Sequence, residues 1–171
     1  MSSNVTLQGK TISLVNKFPN KGDTAPQFRL VAGDLTDVSL NMFKGKRKIL
    51  NIFPCIDTSV CALSVKKFST VKDVDNMVML CISCDLPFTQ SRFCCEENIN
   101  NVIMLSAMRG STFGHDYGVQ IINGPLEGIT ARAIIVLDEH DVVIYSELVK
   151  EITNEPHYER AISSLRELSA N

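Results

Sequence analysis

The sequence has no block of basic residues and no long hydrophobic run. Its 17 Lys and Arg stand against 19 Asp and Glu, for a formal net charge of -2. Proteins that bind nucleic acid carry Lys and Arg clustered on one face, so we expect no nucleic-acid partner. No apolar run approaches the roughly 18 residues that a membrane-spanning helix requires, so we expect no membrane partner either.

The first residues, MSSNVT, lack both the charged and the apolar region of a signal peptide. We therefore expect a cytoplasmic protein. Cysteines in that reducing compartment do not form a static disulfide framework. Each of the six cysteines is then a structural thiol, a metal ligand or a redox-active group, and they lie at positions 55, 61, 81, 84, 94 and 95.

The sequence also lacks internal repeats, low-complexity tracts and any stretch typical of a linker. Hydrophobic residues make up 44% of it and charged residues 21%, which is ordinary for a globular protein. A chain of 171 residues is long enough to bury a proper core. These features predict a single domain over residues 1–171.

Alternating and continuous apolar segments predict two kinds of strand. Residues 5–15 alternate on both sides of Gly9-Lys10, which is typical of a β-hairpin. Near-continuous apolar runs, in contrast, are typical of strands covered on both faces, and they occur at residues 49–53, 77–83 and 101–105. Short strands are predicted at residues 28–31 and 38–40, and an antiparallel pair at residues 131–137 and 142–148.

Helical patterns occur at residues 59–74, 87–98 and 155–168. Asn154 is the predicted N-cap of the last helix, with Pro156 in its first turn. Strands and helices alternate through the middle of the chain, and a hairpin plus a helix closes it. The sequence therefore predicts an α/β fold with one mixed sheet and helices on both faces. Residues 106–130 are predicted to be mostly loop.

Cys61 lies where a buried strand turns into a helix. Pro54 ends the strand, a short polar turn follows, and the helix begins near Ser59, so Cys61 falls in the first turn. Free N–H groups and the positive end of the helix dipole favour a thiolate there. Thr58 is expected to place a hydroxyl beside the sulfur, and Asp57 to cap the helix. A small buried hydrophobe is the alternative, but the context favours a nucleophile.

Arg132 stands in an otherwise apolar predicted strand, where an unpaired charge would be costly to bury. One interpretation is an arginine at the strand end that reaches solvent or a carboxylate. The other is a guanidinium directed at the Cys61 thiolate. The strand alone does not separate the two.

The remaining cysteines suggest different roles. Cys94 and Cys95 lie in a polar segment, and one of them is a candidate disulfide partner for Cys61. Cys81 and Cys84 form a C-x-x-C, but residues three apart on a strand face opposite sides, which favours packing. A zinc site made by these four cysteines stays open as an alternative. Cys55, in the turn before the helix, is interpreted as incidental.

The spacing Pro54-x-x-x-Thr58-x-x-Cys61 after a buried strand resembles the peroxidatic motif of peroxiredoxins. Four further segments resemble the bacterial thiol peroxidases, which are atypical two-cysteine peroxiredoxins: residues 46–54, 83–94, 124–128 and 131–133. With the N-terminal hairpin, the resemblance extends over nearly the whole chain.

This resemblance implies a thioredoxin-like fold with an N-terminal β-hairpin. It also implies that Cys61 is the peroxidatic cysteine, surrounded by Pro54, Thr58 and Arg132, and that Cys94 is the resolving cysteine of the same subunit. The implied substrates are hydroperoxides, alkyl hydroperoxides above all, and the implied reductant is thioredoxin. The group further implies a homodimer and no metal or organic cofactor.

The chain departs from the group's pattern by its cysteines at 55, 84 and 95. Because Cys95 adjoins Cys94, either thiol is a candidate resolving cysteine, and the Phe93-Cys94 match favours Cys94. A thiol–disulfide oxidoreductase on the same fold is an alternative function. It is disfavoured because Thr58 stands where a C-x-x-C motif would have its first cysteine. A zinc-binding or redox-sensing module is the alternative outside enzymes.

Overall fold

The computed structural model describes residues 2–169, which form a small hairpin and a larger mixed sheet with helices. The strands are β1 (Asn4–Leu7), β2 (Lys10–Ser13), β3 (Arg29–Val31), β4 (Asp37–Ser39), β5 (Arg47–Ile52), β6 (Met77–Ser83), β7 (Ile103–Ser106), β8 (Ala133–Leu137) and β9 (Val143–Leu148). The helices are α1 (Ser59–Ser69), α2 (Pro87–Glu96), α3 (Phe113–Asp116) and α4 (Tyr158–Ser169), with a 3-10 turn at Leu40–Phe43.

The N-terminal hairpin joins β1 to β2 through two residues. Gln8 and Gly9 both have positive φ, at 50° and 78°, which is the backbone of the turn that suits the twist of a tight hairpin. Leu7 pairs with Lys10 across this turn. The predicted hairpin is thus confirmed.

The main sheet has the strand order β4-β3-β7-β6-β5-β8-β9. Its centre is parallel, since β5 pairs with β6 and β6 with β7 in the same direction. β8 runs antiparallel to β5, and Ala133 at its start pairs with Ile52 at the end of β5. The end of β5 and the start of β8 therefore lie at the same edge of the sheet.

Alternate residues of the central strands face two separate hydrophobic cores. Ile49 faces a core that it forms with α1, α2 and α4, whereas Leu50 faces a core completed by α3 and the loop before β3. Burial on both faces explains why these strands are continuously apolar. The predicted mixed α/β sheet covered on both faces is confirmed, although one face has only the four-residue α3, which was predicted as loop.

The helix boundaries differ from the prediction most at the end of α1 and the start of α4, and α2 ends at Glu96 rather than at residue 98. α1 ends at Ser69, not at residue 74, and Thr70 donates its N–H to the Lys67 carbonyl as the helix closes. The proposed Asn154 cap is wrong, because α4 begins only at Tyr158. Its start is held instead by a side chain of the neighbouring strand.

That side chain is Glu147 of β9. Its carboxylate accepts the His157 backbone N–H at 3.0 Å and contacts His157 Nδ1 at 2.7 Å. The pattern of the helix alone contains no signal for such a contact. Within residues 2–169, none of the helices is long and apolar enough to cross a bilayer.

Candidate active site

The turn between β5 and α1 is fixed by hydrogen bonds to neighbouring segments. Phe53 donates its N–H to the Ile82 carbonyl at 3.1 Å and accepts the Thr130 hydroxyl at 2.8 Å on its own carbonyl. Pro54 follows, and it is buried. The backbone that leads to Cys61 is therefore held on two sides before the helix begins.

Asp85, just after β6, holds the next part of the turn. Its Oδ2 accepts the Ile56 N–H at 2.8 Å and the Ser83 hydroxyl at 2.7 Å. The sequence analysis missed this residue. Its position in the sequence could have indicated it. A polar side chain that closely follows one parallel strand lies at the sheet edge where the adjacent parallel strand also ends.

Cys61 is the third residue of α1 and is fully buried. Thr58 is the N-cap residue, so the prediction that Asp57 caps the helix is wrong. Asp57 instead pairs with Arg92 of α2 at 3.0 Å. A first-turn position puts the Cys61 sulfur near N–H groups that have no partner within the helix.

The Thr58 hydroxyl does not make the expected contact. It donates to the Cys55 carbonyl at 3.1 Å, and it makes no cap hydrogen bond to α1. Among the described residues, no hydrogen bond joins it to the Cys61 sulfur. The hydroxyl therefore braces the turn in this conformation.

Arg132 is directed at Cys61. It immediately precedes β8, it is 2% exposed, and its Nη2 donates to Cys61 Sγ at 3.4 Å. Its Nε donates to the Ile152 carbonyl at 2.9 Å, which orients the guanidinium plane. Of the two interpretations of this arginine, the one directed at the sulfur is confirmed.

Tyr158, the first residue of α4, packs against the same region. Its ring meets that of Phe68 edge-on, with 5.2 Å between centroids, and its hydroxyl is buried. Burial and then Glu155 raise the pKa of the Tyr158 hydroxyl, while Arg132 opposes them and Cys61 adds to them. The helical pattern predicted over residues 155–168 contains no signal for this position of Tyr158.

Cys94 lies in α2, half-buried against the hydrophobic core that contains Cys61 and Cys81. Burial raises the pKa of the Cys94 thiol, so this group stays protonated near neutral pH. Cys95 is exposed. All six cysteines are free in this structure.

Cys81 lies within β6, whereas Cys84, the second cysteine of the C-x-x-C, follows the strand. Cys81 is fully buried, and Asn51 Nδ2 lies 3.8 Å from its sulfur. Burial raises the pKa of the Cys81 thiol to about 12, which agrees with a packing role. Burial also raises the pKa of Cys84 and of Cys55. No cluster of three or more His, Cys, Asp or Glu among residues 2–169 has the arrangement needed to hold a metal ion.

α2 is attached to the rest of the protein by buried side chains and by exposed ion pairs. Three of its ten residues are buried, namely Pro87, Gln90 and Phe93. The Gln90 amide donates to the Ser83 hydroxyl and to the Leu105 carbonyl at 3.0 Å each, both buried. Arg92 forms an exposed ion pair with Asp57, and such pairs are worth little in water.

Comparison with known proteins agrees with this site. The Redoxin family profile matches residues 20–162. A thiol peroxidase of Mycobacterium bovis (strain ATCC BAA-935 / AF2122/97) is 48% identical over 161 residues, which cover 94% of this chain and 97% of that protein.

Two solved structures have the same fold over nearly the whole chain. The peroxiredoxin-like protein from Aquifex aeolicus has a TM-score of 0.91 and 36% identity, covering 98% of each chain. The thiol peroxidase from Chromobacterium violaceum has a TM-score of 0.86 and 26% identity, covering 98% of this chain and 97% of that one.

The chain therefore belongs to the Redoxin family, in which it is a thiol peroxidase of the peroxiredoxin group. The thioredoxin-like fold with an N-terminal hairpin, which the sequence resemblance implied, is confirmed.

Proposed function

We propose that this peroxidase reduces hydroperoxides at Cys61, closes a disulfide between Cys61 and Cys94 of the same subunit, and is recycled by thioredoxin. The observation that supports this most directly is the buried Arg132 guanidinium, 3.4 Å from a cysteine in the first turn of a helix. Alkyl hydroperoxides and hydrogen peroxide are the proposed substrates.

In the first step the Cys61 thiolate attacks the terminal oxygen of the hydroperoxide. An S–O bond forms, the O–O bond breaks, and the electron pair leaves with the alkoxide or hydroxide, which then takes a proton from water. Cys61 becomes a sulfenic acid. Arg132 and the free N–H groups of the helix start stabilise the charge as it moves between the oxygens.

Pro54 and Thr58 have supporting roles in this proposal. Pro54 is buried in the turn and shields the sulfur from bulk water. The Thr58 hydroxyl now donates to the Cys55 carbonyl, so it reaches a bound peroxide only after rotation of its side chain. Such a rotation is a fast, low-barrier motion for an exposed side chain.

In the second step the Cys94 thiol condenses with the sulfenic acid, which releases water and forms the disulfide. Cys94 begins in a folded helix, and a disulfide accepts only a narrow range of Cα separations. We therefore propose that α2 opens locally. This opening breaks the Arg92–Asp57 ion pair, exposes Phe93 and separates the Gln90 amide from Ser83 and Leu105.

In the third step a dithiol protein reduces the disulfide by exchange, and thioredoxin is the proposed reductant. Leu86 and Phe88 at the start of α2 are 52% and 64% exposed, which leaves an apolar surface beside the opening segment. We also propose that the protein works as a homodimer in the cytoplasm, where thioredoxin keeps thiols reduced.

Consumption of cumene hydroperoxide and of hydrogen peroxide, coupled to thioredoxin and its reductase, tests the proposal. We expect turnover in the wild type and none in Cys61→Ser, because the nucleophile is lost. Cys95→Ser is the matched control and keeps turnover. Activity retained in Cys61→Ser would overturn the assignment, and reduction of insulin without peroxide consumption would favour the thiol–disulfide oxidoreductase.

A further inference from the structure

Two buried polar atoms beside Cys61 have no hydrogen-bond partner. Among residues 2–169, the buried side-chain nitrogen and oxygen atoms without one are Gln90 Oε1, Arg132 Nη1 and the Tyr158 hydroxyl. Leaving such a group unpaired is destabilising, so each instance in a folded protein calls for an explanation. Arg132 is also bonded to the Cys61 sulfur, which puts one unpaired donor at the nucleophile itself.

The Tyr158 ring is held in one orientation by its neighbours. Phe68 packs edge-on against it, with 5.2 Å between centroids, and Lys67 Nζ lies 4.7 Å from its centroid. The Glu147 carboxylate fixes the backbone just before it through the His157 N–H. A side chain that is fixed in this way can present its hydroxyl at a defined point.

The Glu155 carboxylate lies close enough to the Tyr158 hydroxyl to raise its pKa through its charge and a hydrogen-bonding contact, but this contact lacks full hydrogen-bond geometry. The Glu155 carboxylate instead pairs with Lys67 Nζ at 3.2 Å. Since burial and Glu155 hold the pKa of the Tyr158 hydroxyl well above its ordinary value, the group remains protonated throughout the working pH range. It is therefore a lasting hydrogen-bond donor.

We propose that the Tyr158 hydroxyl is a catalytic group of this peroxidase, which binds the hydroperoxide together with Arg132 Nη1. The inference rests on the proposed reaction at Cys61. As the thiolate forms its bond to the terminal oxygen and the O–O bond breaks, Tyr158 donates a hydrogen bond to the departing oxygen. The departing alkoxide takes its proton from water, so Tyr158 is unchanged at the end of the step.

Tyr158→Phe tests this role, because it keeps the ring and its packing and removes only the hydroxyl. The measurement is the second-order rate of Cys61 oxidation by hydrogen peroxide and by cumene hydroperoxide, in single turnover. We expect a fall of about 10- to 100-fold for both, the range for a hydrogen bond to a charged group. Alkylation of Cys61 by iodoacetamide, followed against pH, should stay unchanged, since it needs the thiolate but no oxygen-binding site.

Tyr117→Phe is the matched control. Tyr117 lies in the core on the other face of the sheet, and its hydroxyl donates to the Pro26 carbonyl at 2.6 Å, so its loss should leave peroxide rates unchanged. Thermal unfolding of both variants verifies that they fold as the wild type does.

The outcomes separate this inference from the proposed function. A wild type that does not react with hydroperoxides overturns the function itself. A reactive wild type with an unaffected Tyr158→Phe overturns only the role of Tyr158. If only the rate with cumene hydroperoxide falls, the tyrosine acts through apolar contact. If the alkylation rate falls in parallel with the peroxide rates, it acts on the thiolate. Either result overturns the proposal. If Tyr158→Phe does not fold, Tyr158→Met, which also lacks the hydroxyl, keeps the test. A loss of the peroxide rate without a loss of alkylation supports the role, and an unchanged peroxide rate overturns it.

Discussion

The Cys61 sulfur is both fully buried and paired with a cation, and these two conditions act in opposite directions. Burial alone disfavours a thiolate, as it does at Cys81 on the adjacent strand. The difference between the two cysteines is the Arg132 guanidinium and the first turn of α1. We infer that nucleophilicity at this position depends on a residue that lies far away in sequence.

Arg132→Met should slow the alkylation of Cys61, because it keeps the length of the side chain but removes the charge and its hydrogen bond to the sulfur. Loss of a charge-assisted hydrogen bond corresponds to about 10- to 100-fold in the alkylation rate. Iodoacetamide labelling of Cys61 against pH measures this. The alkylation rate of Arg132→Lys should lie between those of the wild type and Arg132→Met, since an ammonium keeps the charge but lacks the planar shape of the guanidinium. An unchanged labelling profile in the methionine variant would contradict the role.

At this scale the sequence singles out the candidate nucleophile but leaves its surroundings open. Cys61 was identified from local features, namely the strand end at Pro54 and the helix start. Arg132 remained ambiguous until its strand was paired with β5, because Ile52 and Ala133 meet only in the folded sheet. Tyr158 was missed for the same reason, because the local pattern of a helix does not show which other helix its first residue will lie against.

The N-terminal hairpin and the segment after β9 act as one element. Thr6 exchanges backbone hydrogen bonds with this segment, since it donates its N–H to the Lys150 carbonyl at 2.6 Å and accepts the Ile152 N–H at 2.9 Å. The Ile152 carbonyl then accepts Arg132 Nε. The hairpin is therefore connected to the guanidinium at the active site through a single residue.

The Glu151 side chain stabilises the turn of this hairpin through hydrogen bonds. Its carboxylate accepts the Thr6 hydroxyl at 2.7 Å and the N–H groups of Gln8 and Gly9 at 3.0 and 3.1 Å. The Thr6 hydroxyl above all, and then the backbone N–H groups, lower the pKa of Glu151 to about 2, from an ordinary value of 4.5. The charged carboxylate is thus the form that the folded protein stabilises.

Glu151→Gln should remove a contribution to stability that depends on pH. Because the pKa of Glu151 is depressed in the folded state, this contribution is fully present above about pH 4.5 and is lost as the pH falls toward about 2. Urea unfolding of wild type and variant at pH 6 and pH 3 measures the difference, which should be larger at pH 6. A difference that is equal at both pH values would contradict the assignment.

Among the elements, the sequence predicts strands better than helix ends. The apolar runs locate β5, β6 and β7 because continuous burial leaves a continuous pattern. α4 begins later than predicted because Glu147, a residue of another element, holds its first turn. Such contacts are made by the tertiary fold and have no counterpart in the local sequence.

Across the whole molecule, the end of the sheet opposite Cys61 contains a buried ion pair. Lys48, at the beginning of β5, is fully buried, and its Nζ pairs with the carboxylate of Asp141 in the turn between β8 and β9. Each ion is costly to bury alone, so either charge is tolerated in the interior only with its partner present. It secures the far end of the same strands that carry the active site.

Asp141→Asn should destabilise the protein by about 3–5 kcal/mol, because it leaves the Lys48 ammonium buried without its counter-charge. Urea unfolding gives the free energy. Asn tolerates the positive φ of 63° at this position, so backbone strain adds little. The double variant Lys48→Met, Asp141→Asn should recover most of the loss, and a double variant as unstable as the single one would argue against the ion pair as the cause.

The central claim is that a peroxide oxidises Cys61 and that Cys94 then captures it. Treatment of the reduced protein with one equivalent of hydroperoxide, followed by alkylation of free thiols, proteolysis and mass spectrometry of the disulfide-linked peptides, tests it most directly. The account predicts one dominant link, between Cys61 and Cys94, with Cys55, Cys81, Cys84 and Cys95 alkylated. A dominant link from Cys61 to Cys95, or oxidation that leaves Cys61 free, would contradict it.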